Sequence, residues 1–261
     1  KNKKKMEYIS LEGLRVDGRR ANEIRNIYFK LDLFRSCSGS AYYEQGNTKV
    51  VAVVYGPKAM TKKKNQGQMN DDAIINCEYS MATFSTGERK SQTKGDRRSI
   101  EISMMLRKTF ESVIEVNKYP RSQIDLFMYV LQADGGTRCA CVNAATLALM
   151  DAGIAMKDMV VACAAGYIDD TAVCDLNYVE DSSGSVDVPI AYLPRSGDLQ
   201  FIQMDAKIPK DHFESVLNMA IHGATCIHAY LQKKMKDMTF HLASNQLAPS
   251  QQALLSKLPV S

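Results

Sequence analysis

Tryptophan is absent from the 261-residue sequence, and histidine is scarce, with four residues that all lie at or after His212. None of the seven cysteines forms a Cys-x-x-Cys pair, and no cysteine pair is spaced with a histidine in a zinc-ligand pattern. These shortages argue against a structural zinc site. The sequence also offers no Ser–His or Cys–His arrangement, which argues against covalent catalysis by an activated side-chain nucleophile.

Long apolar runs are missing as well. No run approaches the roughly 18 residues that a membrane-spanning helix needs, so we expect no membrane partner. The odd number of cysteines and the absence of an Asn-x-Ser/Thr acceptor favour reduced thiols in the cytosol or nucleus. Hydrophobic residues make up 45% of the chain, which is an ordinary globular composition, and 261 residues are enough for one large domain or two small ones. The net charge of +4 permits an anionic partner.

The most informative stretch is a pair of glycines between a predicted strand and a predicted helix. Residues 124–132 are apolar on both alternating faces apart from Asp125, which predicts a strand buried on both sides. Small and apolar residues after position 138 predict a buried helix that ends at Gly153. Gly135 and Gly136 lie between the two, where backbone N–H groups and a helix N-terminus favour an anion.

Thr137 and Arg138 follow the glycines, so a hydroxyl and a guanidinium are placed where they could complete a phosphate site with Gly136. The alternative is an ordinary glycine turn with Arg138 in solvent, because short glycine motifs occur often by chance. A second helix is predicted over residues 96–117, with Asp96 as its N-cap and Arg97 and Arg98 in its first turn. Cations there oppose the helix dipole, and Arg138 repeats the conflict, which indicates an anion bound between the two helix ends.

Residues 180–187 form an acidic loop. Asp181 and Asp187 lie six positions apart around Gly184, so a turn could bring the two carboxylates together. Two close carboxylates raise the pKa of one of them, which suits a general acid, or they share a divalent cation. The alternative is an acidic surface turn.

The remaining chain predicts one α+β domain in which helices pack on mixed sheet. We expect a basic flexible segment over residues 1–10, a domain over residues 11–243 and a disordered tail over residues 244–261. Residues 13–20 are predicted to form a charged turn that is too polar for a core element. Further predicted strands cover residues 40–44, 50–55 (ended by Gly56-Pro57), 73–84, 159–167, 174–178, 188–193 and 199–204, and a long helix opens at Pro209 and Asp211.

A set of motifs occurs in a fixed order along the chain, and through them the chain resembles the RNase PH family. Within that family it is most similar to the exosome ring subunit that carries the active site in archaeal exosomes, in a eukaryotic version. The resemblance covers residues 11–242. It depends on GLRVDGRR at 13–20, GSAYYEQGNTKV at 39–50, FSTGERK at 84–90, DRRSIEIS at 96–103, YPRSQID at 119–125, LQADGGTR at 131–138, and LNYVED at 176–181 with the later Asp187.

The resemblance implies a two-layer α/β fold and a six-membered ring of RNase PH-like exosome subunits around a channel for single-stranded RNA. It implies S1/KH-type cap subunits, an associated hydrolytic nuclease, and a location in the nucleus, including the nucleolus, and in the cytoplasm. The implied reaction is phosphorolysis, in which inorganic phosphate attacks the 3′-terminal phosphodiester and releases a nucleoside diphosphate.

Family roles transfer to matching residues. Gly136, Thr137 and Arg138 match the phosphate-binding motif, and Arg97 and Arg98 match the arginines that hold RNA phosphates and the attacking phosphate. Asp181 matches the general acid, and Asp187 matches its partner or, with Asp181, a magnesium ligand. The loop with Lys62, Lys63 and Lys64 matches the constriction of the channel and is expected to bind the RNA backbone.

Two other functions remain open at this point. The chain could be an inert ring subunit that binds RNA and threads it to a hydrolytic nuclease. A small-molecule phosphate enzyme on a related fold would need a nucleotide loop such as GxxxxGK, which the sequence lacks.

Overall fold

The computed structural model describes residues 8–10, 12–59, 72–89, 95–184, 186–204 and 206–246. Nine strands form two sheets within these ranges: β1 Ile27–Leu31, β2 Gly39–Gln45, β3 Thr48–Ala59, β4 Ile74–Met81, β5 Ser122–Gln132, β6 Val161–Ile168, β7 Thr171–Cys174, β8 Val186–Leu193 and β9 Asp198–Ile202. The helices are α1 Arg97–Val113, α2 Thr137–Asp151, α3 Tyr178–Asp181 and α4 Lys210–Gln246, with a short 3₁₀ helix at Val116–Lys118.

The first sheet has the strand order β1-β2-β3-β5-β4, and the second has the order β7-β6-β8-β9. In the first sheet β4 runs parallel to β5 while the other neighbours are antiparallel. The second sheet is antiparallel throughout. The predicted α+β class with packed helices is confirmed, although only the first of the two sheets is mixed.

Helix α2 lies between the two sheets and contacts β2, β3 and β5 of the first and β6 and β8 of the second. This position explains why a helix of small and apolar residues has no polar face: Cys139 to Leu149 are all buried. Its two interior polar side chains are paired across the interface. Asn143 exchanges hydrogen bonds of 2.8 and 3.0 Å with the backbone of Ala162, and Thr146 donates to the carbonyl of Val160. The predicted end is confirmed, with Gly153 at a φ of +69°.

The prediction that β5 is buried on both faces was wrong. Leu126, Met128 and Val130 are at most 1% exposed, but Phe127 between them is 38% exposed. The residues that alternate with the core face are apolar without being covered by a described helix, so apolar sequence on both faces did not mean burial on both faces. Strand β3 also continues past Gly56-Pro57 to Ala59, through a register shift between Tyr55 and Lys58.

Several predicted boundaries shift. Helix α1 ends at Val113 rather than near 117, because Ile114 is extended and pairs with Met156. Strand β1 was not predicted. The strand predicted over residues 174–178 is displaced, because β7 covers Thr171–Cys174 and α3 begins at Tyr178.

Helix α4 packs on β6, β7 and β8 and continues to Gln246, so the expected tail boundary at 244 falls inside a helix. Residues 1–7, residues 247–261 and the lysine loop at Lys62–Lys64 lie outside the described ranges. None of the described helices is both long enough and apolar enough to span a bilayer.

Candidate active site

The glycine turn between β5 and α2 has a geometry that side chains would prevent. Gly135 has a φ of +73° and Gly136 a φ of +61°. A Cβ on Gly135 would lie 2.5 Å from the carbonyl oxygen of Leu176, so the turn packs backbone to backbone against the segment that leads into α3. Gly136 is the N-cap of α2 and has no side chain to accept from the first-turn N–H groups. These groups point their partial positive charge away from the helix.

Side chains from distant parts of the sequence hold this turn in place. The Thr48 hydroxyl donates to the carbonyl of Gly135 at 2.8 Å and accepts from the N–H of Asp134 at 3.2 Å. Arg25 donates to the carbonyl of Asp134 at 2.5 Å. The Asp134 carboxylate accepts from the Asn47 amide at 3.0 Å. The phosphate-loop candidate is therefore fixed by both β3 and the segment before β1.

A buried ion pair extends this network. Arg25 donates to both carboxylate oxygens of Asp175, with Nε–Oδ2 and Nη2–Oδ1 distances of 3.0 and 2.7 Å. Burial alone raises the pKa of Asp175, but the charge and the hydrogen bonds of Arg25 outweigh it and hold the pKa below its ordinary value. For Arg25, burial opposes the charged form while the Asp175 charge raises the pKa above its usual value. Both groups are therefore charged at neutral pH.

Arg15 and Glu180 form a second buried ion pair next to α3. Arg15 Nε donates to Glu180 Oε1 at 2.7 Å, and its Nη2 donates to Oε2. Glu180 also accepts from the N–H of Asn177, while the Asn177 side chain accepts from the N–H of Glu180, which completes a capping box. The prediction that residues 13–20 are too polar for the core fails at Arg15, which is 4% exposed, whereas the other residues of this stretch are exposed or half-buried. The charge of Arg15 is buried together with that of Glu180, the residue that precedes Asp181 in the sequence.

The predicted site residues converge on one open cavity of about 350 Å³. Its walls come from the glycine turn, the start of α2, the end of α3 and the start of β8. The lining includes six predicted residues: Arg98, Gly136, Thr137, Arg138, Asp181 and Asp187. Arg97 is exposed at the start of α1 and is not part of the lining.

The cavity-lining residue Thr137 is linked to the first sheet through a hydrogen bond to Tyr79, a buried residue of β4. Burial raises the pKa of Tyr79, while Arg98 and Arg138 act in the opposite direction. Both guanidinium groups thus act on the same buried hydroxyl. Burial raises the pKa of the Cys139 thiol, the charge of Asp187 adds to this, and the charge of Arg138 opposes it. The cavity is therefore lined by both cationic and anionic side chains.

Asp96 occupies the N-cap position of α1, as predicted, but its side chain makes no capping hydrogen bond. The first turn of α1 begins with Arg97 and Arg98 and contains no acidic residue. The N-terminus of α1 therefore adds positive charge beside the cavity without an internal counter-charge in that turn.

The described residues contain no group of three or more His, Cys, Asp or Glu side chains that could hold a metal by themselves. Asp181 and Asp187 line the same cavity, which the two-carboxylate hypothesis requires. Magnesium commonly binds through one or two carboxylates together with substrate phosphates, so two carboxylates fit that mode and not an all-protein cage.

The residues that fix the glycine turn and α3 in place were not predicted from the sequence. Arg25 and Asp175 lie 150 residues apart, so no local spacing links them. Thr48 was not singled out either. Arg15 belongs to a motif that carried the family resemblance, and that match was the one signal that could have indicated its importance.

Comparison with known proteins fits this fold and site. The model of the RNase PH, 3′ exoribonuclease family, domain 1, matches residues 23–155, and the domain 2 model matches residues 158–223. The chain belongs to the RNase PH family of 3′ exoribonucleases.

Curated relatives lie within the same family. "Exosome complex component RRP41 homolog" of Arabidopsis thaliana is 50% identical over 93% of this chain and 100% of its own length. The Homo sapiens "Exosome complex component RRP41" is 50% identical over 88% of this chain and 94% of its own. The Thermococcus kodakarensis "Exosome complex component Rrp41" is 43% identical over 91% of this chain and 94% of its own.

Two solved structures share the fold. Rice Rrp46 superposes with a TM-score of 0.74 at 23% identity, over 84% of this chain and 99% of that one. A chain of the Archaeoglobus fulgidus exosome with RNA bound to the active site superposes with a TM-score of 0.73 at 18% identity, over 84% of this chain and 93% of that one. The RNase PH-type architecture expected from the motifs is confirmed.

Proposed function

We propose that the chain is an RNase PH-like subunit of an exosome core ring that degrades RNA from the 3′ end by phosphorolysis. The observation that carries the proposal is the single cavity lined by the start of α2, by Arg98 and Arg138, and by Asp181 and Asp187. The reaction needs a positively charged site that binds phosphate groups, and it needs a pair of carboxylates.

The two arginines that line the cavity, Arg98 and Arg138, suit two phosphates that must approach each other. Inorganic phosphate is the co-substrate, held by the N–H groups at the start of α2 with Gly136, Thr137 and Arg138. Arg98 reduces the repulsion between the attacking phosphate and the phosphodiester, and charge-assisted hydrogen bonds stabilise the charge that develops in the transition state.

The reaction balances without a covalent enzyme intermediate. An oxygen of inorganic phosphate attacks the phosphorus that joins the last two nucleotides. The bond from this phosphorus to the 3′ oxygen of the penultimate nucleotide breaks, and a nucleoside diphosphate leaves. Asp181 gives the proton that the 3′ oxygen takes up, and Asp187, which lines the same cavity, is its partner.

A magnesium ion is compatible with this site. Asp181 and Asp187 would hold it together with phosphate oxygens, where it would neutralise negative charge.

Partners follow from the relatives named as exosome components. We propose that the chain works in a six-membered ring with other RNase PH-like subunits and S1/KH-type cap subunits, in nucleus and cytoplasm. Single-stranded RNA reaches the cavity past Arg97, which is exposed at the start of α1 beside the cavity residue Arg98. Lys62, Lys63 and Lys64 remain candidates for backbone contacts farther out.

The proposal is tested in the assembled ring with 5′-labelled single-stranded RNA, with and without inorganic phosphate. RNA shortening with release of nucleoside diphosphates only in the presence of phosphate is expected. Asp181→Asn should lower the rate by about 10²- to 10⁴-fold, the usual contribution of a general acid, without weakening RNA binding. Asp170→Asn, an exposed carboxylate in the turn between β6 and β7, is the control and should change neither quantity.

Two results would contradict parts of this proposal. If the ring binds RNA but releases no diphosphate with or without phosphate, the chain is a ring subunit that only threads RNA to another nuclease. If Asp181→Asn works at the wild-type rate, the acid assignment is wrong.

A further inference from the structure

One large aromatic side chain is exposed at the cavity. Tyr178 is 59% exposed, and it lines the same cavity as Arg138 and Asp181. It is the first residue of α3, three positions before Asp181. Residues three apart on a helix lie on the same face, so the ring and the carboxylate belong to one face of α3.

The backbone beneath this ring is fixed. The N–H of Tyr178 donates to Asp134 Oδ1 at 3.2 Å, which ties it to the glycine turn. The capping box of Asn177 and Glu180 closes the single turn of α3, and Arg15 holds Glu180 from the core. An exposed ring on a rigid backbone loses little conformational freedom when it binds a flat partner.

The chemistry of the cavity indicates which partner that is. Among the described residues that line it, Tyr178 is the aromatic one, and no asparagine or glutamine occurs that could read a base edge. Phosphate groups belong near Arg98 and Arg138, which carry positive charge. Stacking on an aromatic ring tolerates every base because every base has a π-face. This is the recognition that an enzyme needs when it removes all four nucleotides in turn.

We propose that Tyr178 forms a base-stacking subsite for the 3′-terminal nucleotides of single-stranded RNA. The inference rests on the proposed function, because it assumes that RNA enters this cavity. It adds a contact that does not depend on phosphate charge, so it holds the end of the strand even when salt weakens the arginine contacts.

The test uses the assembled ring in phosphate-free buffer and RNA with 2-aminopurine at its 3′ end. Stacking quenches this fluorescent base, so wild type and Tyr178→Phe should quench it and Tyr178→Ala should not. Tyr178→Ala should also weaken RNA affinity by roughly 5- to 150-fold, the loss of one base–aromatic stack. Val179→Ala changes the neighbouring residue, which is 42% exposed and not part of the cavity lining, and should match wild type.

Each other result overturns the inference. Equal quenching of 2-aminopurine and equal RNA affinity in wild type and Tyr178→Ala would show that the Tyr178 side chain does not stack on RNA. A Tyr178→Phe variant as weak as Tyr178→Ala would assign the effect to the hydroxyl instead of the ring. The phosphate assay is separate. If Tyr178 of the assembled exosome ring quenches 2-aminopurine but the assembly releases no nucleoside diphosphate, phosphorolysis is contradicted and the stacking subsite is still supported.

Discussion

Arg15 and Glu180 lie 165 residues apart in the sequence and form a two-pronged ion pair in which both side chains are at most 1% exposed. The pair joins the turn before β1 to α3, and α3 ends with Asp181. Glu180 has a second role in the capping box with Asn177. The placement of the proposed acid on α3 thus depends on an arginine close to the other end of the domain.

Breaking this pair should destabilise the protein. Arg15→Leu leaves a buried carboxylate without its guanidinium and should lower the free energy of unfolding by about 3–5 kcal/mol. The double variant Arg15→Leu with Glu180→Gln removes the buried charge and should recover part of that loss. Urea unfolding of the three proteins measures the difference. If Arg15→Leu is as stable as wild type, the pair does not hold α3.

The Arg25–Asp175 pair predicts a pH dependence. The pKa of Asp175 lies below its ordinary value of 3.8 in the folded protein. Its stabilisation is therefore fully present above the unfolded pKa and is lost as pH falls through the lower folded pKa.

Asp175→Asn should accordingly cost about 3–5 kcal/mol at pH 7, and the gap to wild type should narrow below about pH 4. Unfolding free energies across that range provide the check, with Asp198→Asn, an exposed carboxylate in β9, as a control that should stay within about 0.5 kcal/mol of wild type. A gap that stays constant down to pH 2 would contradict the predicted role of the Asp175 charge.

Gly135 should not tolerate a side chain. Its φ of +73° strains any other residue, and a Cβ would lie 2.5 Å from the carbonyl oxygen of Leu176. Gly135→Ala should therefore lower the free energy of unfolding by roughly 1–3 kcal/mol and move the phosphate site away from α3. The rate of RNA shortening should fall by more than the loss of folded protein explains.

Gly87→Ala is the matched control, because a Cβ there meets nothing within 4 Å. Thermal unfolding and the rate of RNA shortening, measured on both variants, test the prediction. Full activity of Gly135→Ala would mean that the close contact with residues 176–177 is not needed by the site.

Arg97 should contribute to RNA binding through charge alone. It is exposed at the start of α1, next to the cavity residue Arg98. Arg97→Ala should weaken binding of all sequences alike and reduce the slope of log affinity against log salt by about 0.7, the value for one contact with a single strand.

The control for this measurement lies on the same helix. Arg107 is ten positions farther along α1, about 15 Å away, and pairs with Glu111. Arg107→Ala should leave the slope unchanged. Equal slopes for Arg97→Ala and wild type would place the RNA path elsewhere.

Local patterns in the sequence were sufficient to predict the parts of the site that depend on neighbours. Gly135 and Gly136 mark the turn because few residues adopt positive φ, and the small residues after Arg138 predicted a helix buried all round. The two arginines at the start of α1 stood out because they conflict with the helix dipole.

Long-range pairing was beyond the same reasoning. A charged side chain such as Arg15 is expected in solvent unless its partner is known, and that partner lies 165 residues away. The exposed face of β5 was mispredicted for a related reason. Phe127 is apolar like its buried neighbours, and periodicity does not show whether a second layer covers it.

The most direct test of phosphorolysis follows the fate of the attacking phosphate. The assembled ring is given unlabelled single-stranded RNA and ³²P-labelled inorganic phosphate, and the released nucleotides are separated. Attack by phosphate predicts that the label appears in nucleoside diphosphates, at the β position, and that Asp181→Asn slows its appearance by about 10²- to 10⁴-fold. Unlabelled nucleoside monophosphates as the only product would contradict phosphorolysis. Water would then be the attacking group, and the degradation would belong to another chain.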